Sequence, residues 1–192
     1  MTAFAAKMQH KRLSTKKGSA LGEFIVLDQT RYDLTPNITI LGCTLWSHIP
    51  PGAADTVRLL LNDFKRITGN WNVETHNAAH LSDAEWLDAQ CALIKNEEPG
   101  RRVVIFTHHA PMIEGTSKPA HSHSDLNTAF ATDMTGRACW DEGTPVKVWA
   151  FGHTHFNCDF VKNGVRVVSN QRGYEAVESP RTGFQEDFVL NV

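Results

Sequence analysis

At 192 residues, with 41% hydrophobic and 21% charged side chains, the chain has enough apolar material for one folded core and the composition of an ordinary globular protein. A net charge of −2 gives no electrostatic ground for holding a polyanion, which disfavours nucleic acid as a partner. No apolar run is long enough to span a bilayer, so no membrane partner is expected, and cysteines at 43, 91, 139 and 158 without a Cys-x-x-Cys spacing fit a reducing, cytoplasmic compartment.

In chain order, residues 2–13 place Phe4, Ala5 and Met8 at helical spacing among lysines and read as an amphipathic helix, followed by a polar connector to Gly22. Glu23 to Leu27 and Asn37 to Cys43 are β-rich runs separated by Thr-Pro-Asn, and both are expected as strands. Pro50-Pro51-Gly52 marks a loop, and Ala54 to Ile67 reads as a helix with Val57, Leu60, Leu61 and Phe64 on one face. Val73 to Asn96 carries the clearest helical pattern, with Leu81, Ala84, Leu87, Cys91 and Ile94 in phase and Pro99-Gly100 as its stop. Ser82 to Glu85 resembles a capping box, so this stretch is one helix or two. His76 and His80 lie i, i+4 on it, with no glutamate where a zinc-protease helix would carry its base, and are expected on a solvated or partly buried polar face.

Arg102 to Thr107 is a buried-strand pattern, and the poorly patterned stretch Pro111 to Asn127 follows it, then a weakly helical patch around Phe130 to Trp140. Val146 to Phe151 is a second apolar strand. Asn163-Gly164 between Asn157–Lys162 and Val165–Ser169 signals a hairpin, because both turn residues tolerate positive φ. Phe184 to Val192 is expected to close the fold as a last strand. Strands alternating with helices indicate an α/β class.

The chemistry is concentrated where two apolar strands end. Val103–Thr107 runs into His108-His109-Ala110-Pro111, and Val146–Phe151 runs into Gly152-His153-Thr154-His155. In an α/β sheet the carboxyl edge is where ligands and catalytic groups collect. Two imidazoles at i, i+2 on extended backbone point the same way, roughly 6–7 Å apart at Cα, within reach of one ion. On the same alternation only one of His108 and His109 should face that ion.

This pairing of strand–His-His-Ala-Pro with strand–Gly-His-Thr-His resembles the later portion of the calcineurin-like metallophosphoesterase superfamily, over roughly Leu21 to Tyr174. The resemblance implies a metallophosphoesterase-like β-sandwich flanked by helices, and hydrolysis of phosphate esters with divalent Zn, Mn or Fe. It marks His108, His153 and His155 as metal ligands, leaving His109 either behind the ligands or facing the substrate. Arg172, where the chain leaves the hairpin's second strand, is expected either to clamp a phosphate of the substrate or, equally, to make a structural ion pair. The family's earlier motifs, Asp-x-His, Gly-Asp-x-x-Asp and Gly-Asn-His-Asp/Glu, are absent: Gly69-Asn70 runs into Trp71. The expectation is therefore a single, N-terminally incomplete domain over 1–192 with impaired or no catalysis. The alternative is a non-catalytic remnant acting as an interaction protein, and self-association or a partner is expected to cover the sheet. Of the carboxylates that could replace the missing bridge, Asp28 is the best placed along the chain, Asp159 lies too far past His155, and Asn157 offers only a neutral amide.

Overall fold

The computed structural model describes residues 3–14, 23–173 and 183–192. Its six strands form one mixed sheet in the order β1-β2-β3-β4-β6-β5, with helices packed on it, so the architecture is α/β. Strands β2 (Ile38–Cys43), β3 (Arg102–Thr107), β4 (Val146–Ala150) and β6 (Val165–Ser169) run parallel; β1 (Thr30–Thr35) and β5 (Cys158–Lys162) are antiparallel edges. Of the expected sandwich, the described residues contain this one sheet.

The parallel strands are apolar on both faces, as strands covered on both sides must be. One face gives Leu41, Val103, Ile105, Trp149 and Val167 to the main core, where α4 (Val73–Glu97) adds Ala84, Leu87, Cys91 and Ile94 and Trp140 stacks on Trp149 at 5.1 Å. The other face gathers Val104, Val148 and Val168 against Leu190 and Val192. A register shift between β3 and β4 pairs Val103 with Val146 but Val104 with Val148, so Lys147 is the extra residue and turns to solvent.

Several expectations change for stated reasons. Glu23–Leu27 is not a strand; its Leu27 is seated on Gly42 of β2. The strand before the Pro36-Asn37 turn is instead the polar Thr30–Thr35, whose Arg31 and Asp33 pair on the sheet margin. Phe184–Val192 runs without strand pairing along the second face, where the Val192 carbonyl accepts from Arg102 at 2.7 Å. Residues 54–67 form two short helices, α2 (Ala54–Leu60) and α3 (Asp63–Arg66), while the amino-terminal helix α1 covers Ala3–Ser14. Helix α4 is continuous. Its capping box is Asn72 with Thr75, each side chain bonded to the other's backbone N–H at 2.8 Å, and Ser82–Glu85 lies inside the helix. Asn163 and Gly164 turn the β5–β6 hairpin at φ of 49° and 81°. No helix among the described residues is long and apolar enough to cross a membrane.

A β-carbon added at Gly42 would lie 2.5 Å from Leu27 Cβ, an atom near the backbone that cannot swing aside. Gly42→Ala should therefore destabilise the fold by about 1–3 kcal/mol in urea unfolding. An unchanged midpoint would show that the segment before β1 does not pack where it is drawn.

Candidate metal centre

Parallel pairing puts the carboxyl ends of β2, β3 and β4 at one edge, and all three chains bend there at once. Leu45 and Trp46 after β2 take φ of 68° and 41°, and His153 and His155 after β4 take 69° and 50°. Non-glycine residues in the left-handed region are held there by their surroundings. For the first bend the holder is α4: Asp83 accepts the Leu45 N–H at 2.8 Å, and His80 Nδ1 meets the Leu45 carbonyl at 2.9 Å. The first turns of α4 therefore bury His76, His80 and Asp83, so the two histidines expected on a solvated or partly buried polar face lie inside, while Leu81, expected in phase with the apolar side, faces solvent.

Backbone hydrogen bonds then link the three bends. The Thr44 carbonyl accepts from both His108 and His109 N–H, at 3.2 and 3.1 Å, and the His108 carbonyl accepts from Gly152 N–H at 3.1 Å. Because β3 ends at Thr107, the alternation rule for extended chain no longer separates His108 from His109. Both rings reach the same space. His108, His109 and His153 each offer a ring nitrogen, and these atoms lie within 4.8 Å of one another. Ring centroids are 4.5 Å apart for His108–His153 and 4.4 Å for His109–His153.

His155 is not one of this group. The positive φ at 153 and 155 replaces the extended i, i+2 geometry with a turn, knitted by Gln171: its Oε1 accepts the His155 N–H at 2.8 Å, and its Nε2 donates to Thr154 Oγ1 at 3.2 Å. His155 stays near enough that its charge opposes protonation of His108 and His153. Arg172, next to Gln171, is exposed.

Burial holds the His76, His109 and His153 rings neutral, while His108 is partly open to solvent. Desolvation lowers the His76 pKa to about 4 and that of His153 to about 3, His109 falls well below the ordinary range, and His108 is lowered too. His109 is wholly buried, and neither of its ring nitrogens has a hydrogen-bond partner; His153 Nε2 is likewise buried and unpartnered. Buried polar atoms left this way are rare in folded proteins and point to a ligand that satisfies them. The donor set fits one divalent ion, since three neutral imidazoles with an open fourth position form a known zinc arrangement. It does not fit two ions, because among the described residues no carboxylate joins the group.

The carboxylates fall elsewhere. Asp28 lies near Asp83, and Asp159 is paired with Arg166 through contacts of 2.7 Å. Asn157 is bonded to the Gln171 backbone. Asp63 on α3 is the acid whose charge favours protonation of His108, and its own carboxyl is pushed above the usual range by burial. Asp63, Gln171, Trp46 and Phe130 carry no sequence signal for this site. Trp46 lies against His76 and His109 at 5.1 and 5.4 Å, and Phe130 stacks on His153 at 4.4 Å and 24°. Phe130 is put there by a bridge in which the Ala110 N–H donates to the Phe130 carbonyl at 2.9 Å.

No known family profile matches the sequence. An uncharacterized protein of Acanthamoeba polyphaga mimivirus is 29% identical over 160 residues, covering 78% of this chain and 55% of the viral protein. Among solved structures, the phosphopantetheinyl hydrolase of Mycobacterium tuberculosis is similar at a TM-score of 0.43 and 16% identity, over 71% of this chain and 50% of that one. The chain thus spans about half the length of each of these proteins.

Proposed function

We propose that the chain carries a one-metal centre of the metallophosphoesterase type, held by His108, His109 and His153, and that its substrates are phosphate esters. The observation that supports this most is the convergence of three imidazole nitrogens within 4.8 Å, with those of His109 buried and unpaired. A divalent ion held there would polarise a phosphoryl oxygen and acidify a bound water. The chain's own residues bind and position. Neutral imidazoles leave the ion's full charge to attract an anion, and Phe130 and Trp46 shield two sides of the imidazole group from water. Arg172 is assigned to the substrate because a cationic guanidinium suits a phosphate. With no bridging carboxylate among the described residues, a second ion has nothing there to offset its repulsion from the first, so turnover of a generic phosphomonoester should be undetectable or very slow.

Elemental analysis after dialysis against Zn²⁺ or Mn²⁺ should find no more than one ion per chain. His108→Ala, His109→Ala and His153→Ala should each weaken binding by more than about tenfold, a loss that even outer-shell changes reach, with His155→Ala smaller. Two tightly held ions per chain, or binding unaffected by His109→Ala, would overturn this centre.

The depressed imidazole pKa values fix the pH dependence of the metal-free fold. Below about pH 6.5 the unfolded histidines take up protons, whereas folded His76 does so only near about 4 and His153 near about 3. In that window the unfolded state binds more protons, so stability falls as pH falls, by about 1.4 kcal/mol per group per pH unit. Guanidinium unfolding at about pH 7, 6 and 5 measures this, and a flat profile would mean that these rings protonate freely in the folded chain.

A second reading, an interaction protein, is favoured by one observation. On the second sheet face Phe106 is 41% exposed and, with Ala150, Phe151, Phe188 and Leu190, lines a groove of about 490 Å³. An apolar surface of this kind favours self-association. Light scattering should show concentration-dependent growth in mass that Phe106→Glu suppresses; a monomer at every concentration would exclude it.

A further inference from the structure

We propose that the cavity beside His153 is a nucleobase pocket, so that the phosphate esters taken by this site are nucleotides. The placing of the phosphate rests on the metal-centre reading above; the pocket does not. It encloses about 230 Å³ and is lined by Ser117, Lys118, His121, Leu126, Phe130 and Thr154, with Ser124 and Asn127 completing the wall. Two of these residues join it to the imidazoles: Thr154 directly follows His153, and Phe130 stacks on the His153 ring. A phosphoester whose phosphate lies at His108, His109 and His153 has its organic substituent beside this wall.

The lining selects the chemistry of that substituent. Phe130 gives one ring face to His153 and, with Leu126, offers the cavity an aromatic and apolar surface, the kind on which a planar ring stacks. Ser117 is only 7% exposed, and its hydroxyl has no hydrogen-bond partner. A hydrocarbon chain would fill the space but leave that hydroxyl unsatisfied, at the usual cost of a buried unpaired polar group. A heteroaromatic base carries donors and acceptors on its edge and satisfies it. Lys118, an exposed residue, adds a cation to the lining. A free phosphate would use Lys118 and none of the apolar wall.

The walls are built before any ligand arrives. The Lys118 carbonyl accepts the His121 N–H at 2.8 Å, the His121 carbonyl accepts the Ser124 N–H at 3.0 Å and its hydroxyl at 2.9 Å, and the Ser124 carbonyl accepts the Asn127 N–H at 2.9 Å. The long segment after β3 is therefore a chain of interlocked turns, in keeping with a largely preformed ligand site.

The test uses the whole chain with three probes, AMP, UMP and ribose phosphate, followed by calorimetry and saturation-transfer NMR in EDTA and again with Zn²⁺. AMP and UMP should bind about tenfold tighter than ribose phosphate, the gain expected from stacking one base on an aromatic ring, with saturation reaching the base protons. Lys118→Glu, at an exposed position, and Ser117→Ala should each weaken AMP severalfold while Zn²⁺ uptake and the urea unfolding midpoint are unchanged. Equal affinity for AMP and ribose phosphate, no binding of either, or AMP binding indifferent to both substitutions overturns the pocket. If Zn²⁺ uptake is normal in those cases, the metal centre survives alone. If AMP binds in EDTA but Zn²⁺ does not bind, the pocket survives and the metal centre falls.

Discussion

Register between parallel strands is the constraint on which the site depends. With Cys43 opposite Thr107 and Phe106 opposite Ala150, three strands stop at nearly one level, and their outgoing chains must turn within a few residues of each other. Each bend supplies the acceptor for the next. Thr44 holds the two amides of His108 and His109, and His108 holds Gly152, so the histidine-bearing segments are fixed by backbone rather than by their own side chains. Slipping any of these strands by one residue would turn its inward side chains outward and break the relay that aligns the imidazoles.

The polar half of α4 is the second support. Asp83 is buried, its carboxyl pushed upward by desolvation, and it is tied to Leu45 N–H and to Gln29 Nε2 at 2.8 and 2.9 Å. A helix that merely covered the sheet would present leucine at such positions. Here it spends its first turns holding a strained loop, and its apolar turns, from Ala84 to Ile94, supply the core. The same division explains why His76 is buried beside Ser47, with 3.2 Å between Ser47 Oγ and His76 Nε2, inside a shell of Trp46, Phe64 and Trp71.

How far this was legible from sequence follows from which signals are local. Strands β2, β3 and β4, the Asn163-Gly164 hairpin and α4 declare themselves through periodicity and turn chemistry that need no partner. Glu23–Leu27 and Phe184–Val192 carry the same apolar signal and are not strands, since pairing depends on a free neighbouring edge that no local pattern encodes. Thr30–Thr35 was invisible for the opposite reason: an edge strand that faces water is polar. At the site, the strand ends and their histidines stand out in the sequence. Which imidazoles meet does not, because it turns on the sign of φ at His153 and His155 and on the bend after Thr107. Gln171 and Phe130 reach the site through the β4–β6 adjacency and the Ala110–Ala131 bridge, both long-range facts.

The all-imidazole character of the group bears on which ion it would hold. A thiolate would bias such a centre toward soft ions and a ring of carboxylates toward hard ones, whereas imidazole serves zinc, copper, nickel and iron alike. Cys43, next to the edge, is no exception: burial drives its thiol far above the range in which it ionises. With ligand softness silent, affinity follows the general order of the divalent series, which places copper above zinc. The metal found in such a centre is then decided by the supply around the folding chain and by the shape of the fourth position, not by the three histidines.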